Sequence, residues 1–98
     1  MPIVAVNNDA QNIHILIMNE GYDALVNRVN AGATVNRLSP MSFTWNTAGD
    51  TQTITVRAGR NGVDIAQGTV VVTGQQWMDN KRIRAVYAAN QTLTLTLE

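Results

Sequence analysis

Apolar and polar residues alternate along several short segments of the chain, and this period of two predicts β-strands with one buried face. In 13–18, every second residue is Ile, and after Gln91 Leu alternates strictly with Thr in 92–97. In 41–46 and 51–56, large apolar residues alternate with Ser, Thr, Asn and Gln. Thr suits the solvent-facing side of a half-buried sheet. We therefore expect each of these segments to be a strand that turns its apolar residues toward a core.

Turn residues separate the predicted strands. Asn61-Gly62 is typical of a type I′ hairpin, here between a strand that ends near Ala58 and a strand that begins at Val63. The segment 46–51 contains Asn, Gly and Asp, and it predicts a longer hairpin loop.

Other segments are less regular. Gly68 interrupts a strand-like run, where we expect a bulge or a sharp bend, and 69–73 predicts a short strand that is covered on both faces. The chain then predicts a strand that contains Trp77, a turn, and a strand over 83–87. In 21–32, Leu and Val residues fit one or two helical turns or a strand followed by a loop.

Seven or eight short strands in 98 residues predict a single all-β domain, residues 1–98. An antiparallel β-sandwich of immunoglobulin-like or jelly-roll-like type fits this pattern best, and a small barrel is the alternative. The comparison is architectural only, because the Cys–Trp–Cys landmark of true immunoglobulin domains is missing.

Charge and composition narrow the classes of partner. Lys and Arg balance Asp and Glu at seven each, whereas a nucleic-acid binder usually carries a basic excess, so we expect no nucleic-acid partner. Apolar runs are only a few residues long, which predicts no membrane span. Cysteine is absent, which excludes disulfides and thiolate metal sites. An extracellular or virion-surface location is slightly favoured over the cytoplasm.

The inventory of reactive residues predicts a protein that is not an enzyme and that needs no cofactor. His14 is the sole histidine, and the alternation places it opposite the Ile face, on the surface of a strand. No nucleophile, metal-binding or phosphate-binding motif occurs. Asp9 lies among amide side chains in 7–12, where a turn explains the composition better than a calcium site. We therefore expect no catalytic residue and no metal.

The segment 74–87 is the most promising binding surface in the sequence. Alternation turns Ile83 and Tyr87 toward the core and leaves the basic residues on a solvated face or an anion-binding patch. Trp77 fits either a core position or an exposed ring that stacks on a sugar or peptide. The candidate binding residues are Trp77, Lys81, Arg82, Arg84 and Tyr87.

The C-terminal strand suggests self-association. It has no Pro, Lys or other charge before its last residue, and natural edge strands are usually protected by such residues. If it lies at a sheet edge, it offers its backbone to another copy or to another protein; the alternative is a central strand. The candidate residues are Thr92, Leu93, Thr94, Leu95, Thr96 and Leu97.

Two functional hypotheses follow. The first is a non-enzymatic structural module that forms a homo-oligomer, or docks on a protein partner, through a sheet edge and face. The alternative is a carbohydrate- or small-ligand-binding module that uses Trp77, Tyr87 or Tyr22 with nearby Asn and Arg residues, which makes a glycan the other candidate partner.

Overall fold

The computed structural model describes residues 2–20, 22–36 and 43–98, and the side chains of residues 22–26 lie outside this description. Eight strands and one short helix follow each other within these ranges. They are β1 (Ile3–Asn7), β2 (Ile13–Asn19), β3 (Tyr22–Val29), β4 (Thr34–Val35), β5 (Thr51–Arg60), β6 (Val63–Thr73), α1 (Gly74–Met78), β7 (Ile83–Ala88) and β8 (Thr92–Leu97).

The strands form two packed sheets of four strands each, with the orders β4-β1-β7-β8 and β3-β2-β5-β6. This confirms the predicted β-sandwich. One pair departs from a fully antiparallel arrangement: β1 and β7 run parallel, from Ile3 opposite Ile83 to Asn7 opposite Tyr87. Parallel neighbours need a crossover connection. Here the strands of the other sheet lie between β1 and β7 in the chain.

The core lies between the sheets, and the predicted alternation is confirmed in β2, β5 and β8. His14 is exposed whereas the Ile residues beside it are fully buried, and the Thr residues of β8 point outward. The largest buried side chains come from both layers. They include Ile3, Ile13, Ile15, Ile17, Ile54, Val56, Val72, Ile83 and Tyr87. Within the 21–32 segment, the described residues form the strand β3, followed by a turn.

The predicted β5–β6 hairpin is confirmed at its turn. Asn61 and Gly62 have φ values of 54° and 77°, the left-handed conformation that a type I′ turn requires at both central positions. The pairing of β5 with β6 shifts register between Ala58 and Gly59. The bulge therefore lies next to the turn, and the prediction of a bulge at Gly68 was wrong.

The predicted strand over 41–46 is wrong for its described part, since Phe43 and Trp45 lie in an extended loop; Met41 and Ser42 lie outside the described residues. Both aromatic rings are nevertheless buried. Trp45 Nε1 donates a hydrogen bond to the Val72 carbonyl oxygen at 3.0 Å. This bond attaches the loop to β6 through a side chain, so the segment is held without a strand ladder.

The predicted strand around Trp77 is also wrong, because these residues form the helix α1. Thr73 caps it: the Thr73 hydroxyl accepts from Gln76 N at 3.1 Å, and Gln76 Oε1 accepts from Thr73 N at 2.8 Å. This reciprocal pair is a capping box, and its signature, Thr followed three residues later by Gln, is readable in the sequence. The apolar alternation of β6 ends where this cap begins.

Asn7 is a fully buried polar side chain that ties the two sheets together. Its Nδ2 donates to the carbonyl oxygens of Gln11 at 2.8 Å and Val29 at 3.1 Å, and its Oδ1 accepts from Asp9 N at 3.0 Å. The Asp9 carboxylate in turn contacts Arg60 Nη2 at 3.0 Å. These contacts give the 7–12 segment the turn role that was predicted for it.

Candidate interaction surface

β6 and β8 each lie at the end of their sheet, and they meet on the same side of the sandwich. Within the described residues, the ladder of β8 is with β7 alone and that of β6 is with β5 alone. One edge of each strand therefore lacks a ladder partner in this part of the chain. We call residues 65–73 of β6 together with Thr92–Leu97 of β8 the open side.

The two strands touch at Gly68. A Cβ atom at this position would lie 3.0 Å from the Leu93 carbonyl oxygen and 3.0 Å from Leu95 Cγ. Such contacts are tighter than side chains normally tolerate, so glycine permits the backbone of β6 to approach β8. Close approach of two backbones, and not a bulge, explains the glycine in this strand.

Away from Gly68 the seam between the strands is only partly closed. Leu93 is buried, whereas Leu95 and Leu97 are half-buried. On the outer face of β6, Val71 is 57% exposed, so the prediction that 69–73 is covered on both faces was wrong. The open side thus combines an apolar seam with an exposed valine, and packing within the described chain does not use all of this surface.

Charge is absent from the open side. No charged residue occurs between Asp64 and Asp79 or between Arg84 and Glu98, and neither stretch contains Pro. Lys, Pro and inward-pointing charges are the usual protection of an exposed edge. Both free edges of this side therefore lack the features that keep sheet edges from pairing.

The basic residues of the predicted binding surface, Lys81, Arg82 and Arg84, form a positive stripe that is partly neutralised. Arg82 Nε donates to Glu98 Oε2 at 3.1 Å, and Arg84 Nε lies 3.9 Å from Glu98 Oε1. The backbones of Arg82 and Glu98 exchange two further hydrogen bonds. Lys81 is exposed, and no carboxylate of a described residue pairs with it. The stripe holds three cations and one shared carboxylate, so the charge it presents is weaker than the sequence suggests.

Trp77 is half-buried against Trp45, with ring centroids 5.5 Å apart and planes tilted by 32°. One side of its ring is therefore taken up by an intramolecular contact. No hydrogen bond or ring contact among the described residues joins Trp77 to the basic residues of β7. The side chain of Tyr22 lies outside the described residues.

Tyr87 faces the core, as the alternation predicted, and its side chain is 0% exposed. Its inclusion among the binding residues is therefore corrected, because a fully buried ring cannot stack on a ligand at the surface. The hydroxyl has no hydrogen-bond partner among the described residues. A ligand surface built from Trp77 and Tyr87 together does not exist in this fold.

The contribution of β6 to the open side was missed by the sequence reasoning. Alternation along 66–72 is hidden by the run of three Val residues and by Gly68. The signal that was available is the length of the charge-free stretch from Ile65 to Met78. An edge without charge lacks the usual protection against pairing, so this stretch was a candidate for an unprotected edge.

Comparison of the chain with protein-family models, with curated proteins and with solved structures found no match. Among the described residues, no helix is both long and apolar enough to cross a membrane. The same residues contain no group of three His, Asp or Glu side chains that could hold a metal ion. The surface geometry therefore carries the functional argument.

Proposed function

We propose that this domain is a structural module that assembles with copies of itself through the open side. The observation that carries the proposal is the position of β8 at the end of its sheet, with no charged residue on its free edge or on the adjacent edge of β6. Unpaired backbone groups of an edge strand are a template for a further strand.

A second copy is the partner that the chemistry favours. Two β8 strands related by a twofold axis run antiparallel and place like residues near each other, so a charged strand would repel itself. Here the facing residues are Thr on the outer face and Leu on the inner face. A net charge of zero adds no general repulsion between copies. The edge is thus compatible with its own copy.

The length of β8 limits the area of an interface between two copies. A six-residue strand is roughly 20 Å long, and a standard interface needs roughly 800 Å² from each partner. β8 alone is too short for an interface of that size, so the half-buried apolar seam with β6 must contribute as well. We expect a dissociation constant on the order of 10–100 µM for a pair of copies.

Sedimentation velocity over a range of protein concentrations tests the proposal. The wild-type chain should shift from monomer to dimer or larger assemblies. Thr94→Lys, an outward and exposed position of β8, should weaken association by at least about tenfold, because two ammonium groups would meet across the twofold axis. Thr34→Lys is the matched control, since Thr34 is also exposed but lies on β4 at the other edge of the same sheet.

Charge pairing provides a second check that does not depend on the stability of one variant. An equimolar mixture of Thr94→Lys and Thr94→Glu chains should associate more tightly than either variant alone, because opposite charges then face each other. A wild-type chain that stays monomeric at millimolar concentration contradicts the proposal. Equal weakening by Thr34→Lys would show that the open side is not the interface.

A carbohydrate-binding module is the weaker alternative. Tyr87 is buried and one side of Trp77 is covered by Trp45, so the described aromatic residues offer only part of one ring to a sugar.

A further inference from the structure

A concave surface lies on the outer face of the β3-β2-β5-β6 sheet, beside the turn of the β5–β6 hairpin. It is a hollow with a volume of about 300 Å³, at the small end of the range for ligand sites. It is built by β2, β5, the turn of the β5–β6 hairpin and the first two residues of β6. The lining residues are His14, Leu16, Arg57, Gly59, Gly62, Val63 and Asp64.

The hollow exists because Gly59 has no side chain. Gly59 is paired with His14 of β2 and with Asp64 of β6, at the point where the β5–β6 register shifts. A Cβ atom on Gly59 would lie 3.2 Å from the Val63 carbonyl oxygen and 3.7 Å from Asp64 Oδ1. The glycine floor and the bulge therefore open a space where a regular strand would place a side chain.

Arg57 is held in a fixed direction at one wall of the hollow. Its Nε donates to Gln67 Oε1 at 3.2 Å, and its Nη1 lies 3.7 Å from Asp64 Oδ2. Nη2 has no partner among the described residues. Nη2 is therefore free to donate a charge-assisted hydrogen bond to a carboxylate oxygen of a ligand.

The remaining walls are apolar. Leu16 is half-buried on the outer face of β2. Val63, directly after the tight turn, is 63% exposed. Neither residue belongs to the core between the sheets. A ligand that placed a small apolar group between these two side chains would remove apolar surface that the fold itself leaves in water.

We propose that this hollow binds a small organic carboxylate with a compact apolar body. The carboxylate lies against Arg57 Nη2 on the side away from Asp64, whose own carboxylate also lines the hollow, and the apolar body covers Leu16 and Val63. An inorganic anion would leave the apolar walls unused, and a cation would compete with Arg57 for Asp64. The lining of the hollow shares no residue with the open side, although Gln67 of the open side contacts Arg57, and the proposal does not depend on self-association.

Two-dimensional ¹H–¹⁵N NMR with benzoate as the probe tests this site, with benzyl alcohol and benzylammonium as probes of similar shape and different charge. Benzoate should shift the amides of Gly59, Gly62 and Val63 in a saturable way. The expected dissociation constant is about 1–10 mM, typical of a ligand with so few atoms. The two other probes should bind at least about fivefold more weakly, because they cannot pair with a guanidinium.

Arg57→Gln should weaken benzoate binding by about tenfold, because it removes the charged partner. Thr34→Lys is the control, since it also changes the net charge by one unit, at an exposed position of β4 on the opposite sheet. Thr34→Lys should leave benzoate binding unchanged. The spectrum of unliganded Arg57→Gln reports directly that the variant is folded.

Several outcomes would overturn the proposal. These are equal binding of benzoate and benzyl alcohol, unchanged benzoate affinity in Arg57→Gln, and no saturable shift of the three amides. If dilution of the protein alone shifts these amides, a second copy occupies the hollow and the small-molecule proposal fails. Thr94→Lys chains should bind benzoate like wild type, so failure of the assembly proposal and failure of this one are distinguishable.

Discussion

Gly74 is the position where a single added methyl group should do the most damage. A Cβ atom there would lie 1.9 Å from the Thr47 carbonyl oxygen and 3.1 Å from Trp45 Cβ. The Thr47 contact is with backbone, so the clash cannot be relieved by rotating a side chain. Gly74→Ala therefore forces the 46–50 loop away from the first turn of α1.

The cost can be worked out from what the loop would lose. Gly74 N donates to the Asp50 carbonyl at 2.8 Å, and Gln75 N donates to the Ala48 carbonyl at 3.0 Å. Each bond contributes about 1 kcal/mol, and forced overpacking costs about 1–3 kcal/mol. Alanine returns up to about 1 kcal/mol through its better helix propensity. We expect the free energy of unfolding to fall by about 2–4 kcal/mol.

Urea denaturation followed by Trp fluorescence measures this change, since the paired rings of Trp45 and Trp77 lie beside the altered position. With a denaturant slope of about 1–2 kcal/mol per molar, the unfolding midpoint should fall by roughly 2 M. Gly49→Ala is the matched control, because a Cβ on this glycine of the same loop meets nothing within 4 Å. Its midpoint should stay close to that of wild type.

If Gly74→Ala unfolded at the same urea concentration as Gly49→Ala, the claim that the loop packs tightly against Gly74 would be wrong. A large loss in both variants would also count against it, since the effect would then come from the loop backbone and not from the contact with Thr47.

Two further predictions concern buried polar groups and use the same denaturation assay. Asn7→Ala should lower the free energy of unfolding by about 2–4 kcal/mol, because buried backbone groups lose their partners. Asn8 is exposed, so Asn8→Ala should change the free energy of unfolding little. Similar losses in the two variants would contradict the role assigned to Asn7. Tyr87→Phe should leave stability unchanged or raise it by up to about 2 kcal/mol, because it removes a buried hydroxyl that has no partner in the described chain. A loss of more than about 1 kcal/mol would mean that the hydroxyl is bonded after all.

Periodicity predicted the sandwich because a two-residue repeat leaves few alternatives when one face is buried. The Ile residues of β2 and the Leu residues of β8 have the expected orientation. A register shift of one residue would move all of these apolar side chains to the solvent-facing side of the sheet. The type I′ turn at Asn61-Gly62 was predictable for a related reason: few residue pairs accept positive φ at both positions. For these elements, the local sequence was sufficient to predict the structure.

Tertiary contacts decided the elements that were mispredicted. Trp45 alternates like a strand residue, but its ring is held by the Val72 carbonyl across 27 residues, which no local pattern reveals. A glycine within a strand is typical of a bulge, but Gly68 is explained by the close approach of Leu93 from the other sheet. A contact between sheets cannot be read from the local sequence. The helix at 74–78 was predicted as a strand, although its capping box is readable in the sequence.

The candidate surface was predictable only in part. The uncharged C-terminal strand is visible in the sequence, whereas its place at the end of a sheet and its contact with β6 depend on strand order. The positive stripe could also be read from the sequence. The carboxylate that partly neutralises it belongs to Glu98, fourteen residues after Arg84 in the chain. The hollow under Arg57 depends on a register shift that no single segment predicts.

Isotope-filtered NMR on a mixture of labelled and unlabelled chains tests the central claim most directly. At a protein concentration well above the dissociation constant, it detects only contacts between different copies. We predict intermolecular contacts that connect Thr92–Leu97 of one copy with the same strand, or with residues 65–73, of another. Intermolecular contacts confined to other surfaces, or none at all, would contradict assembly through the open side.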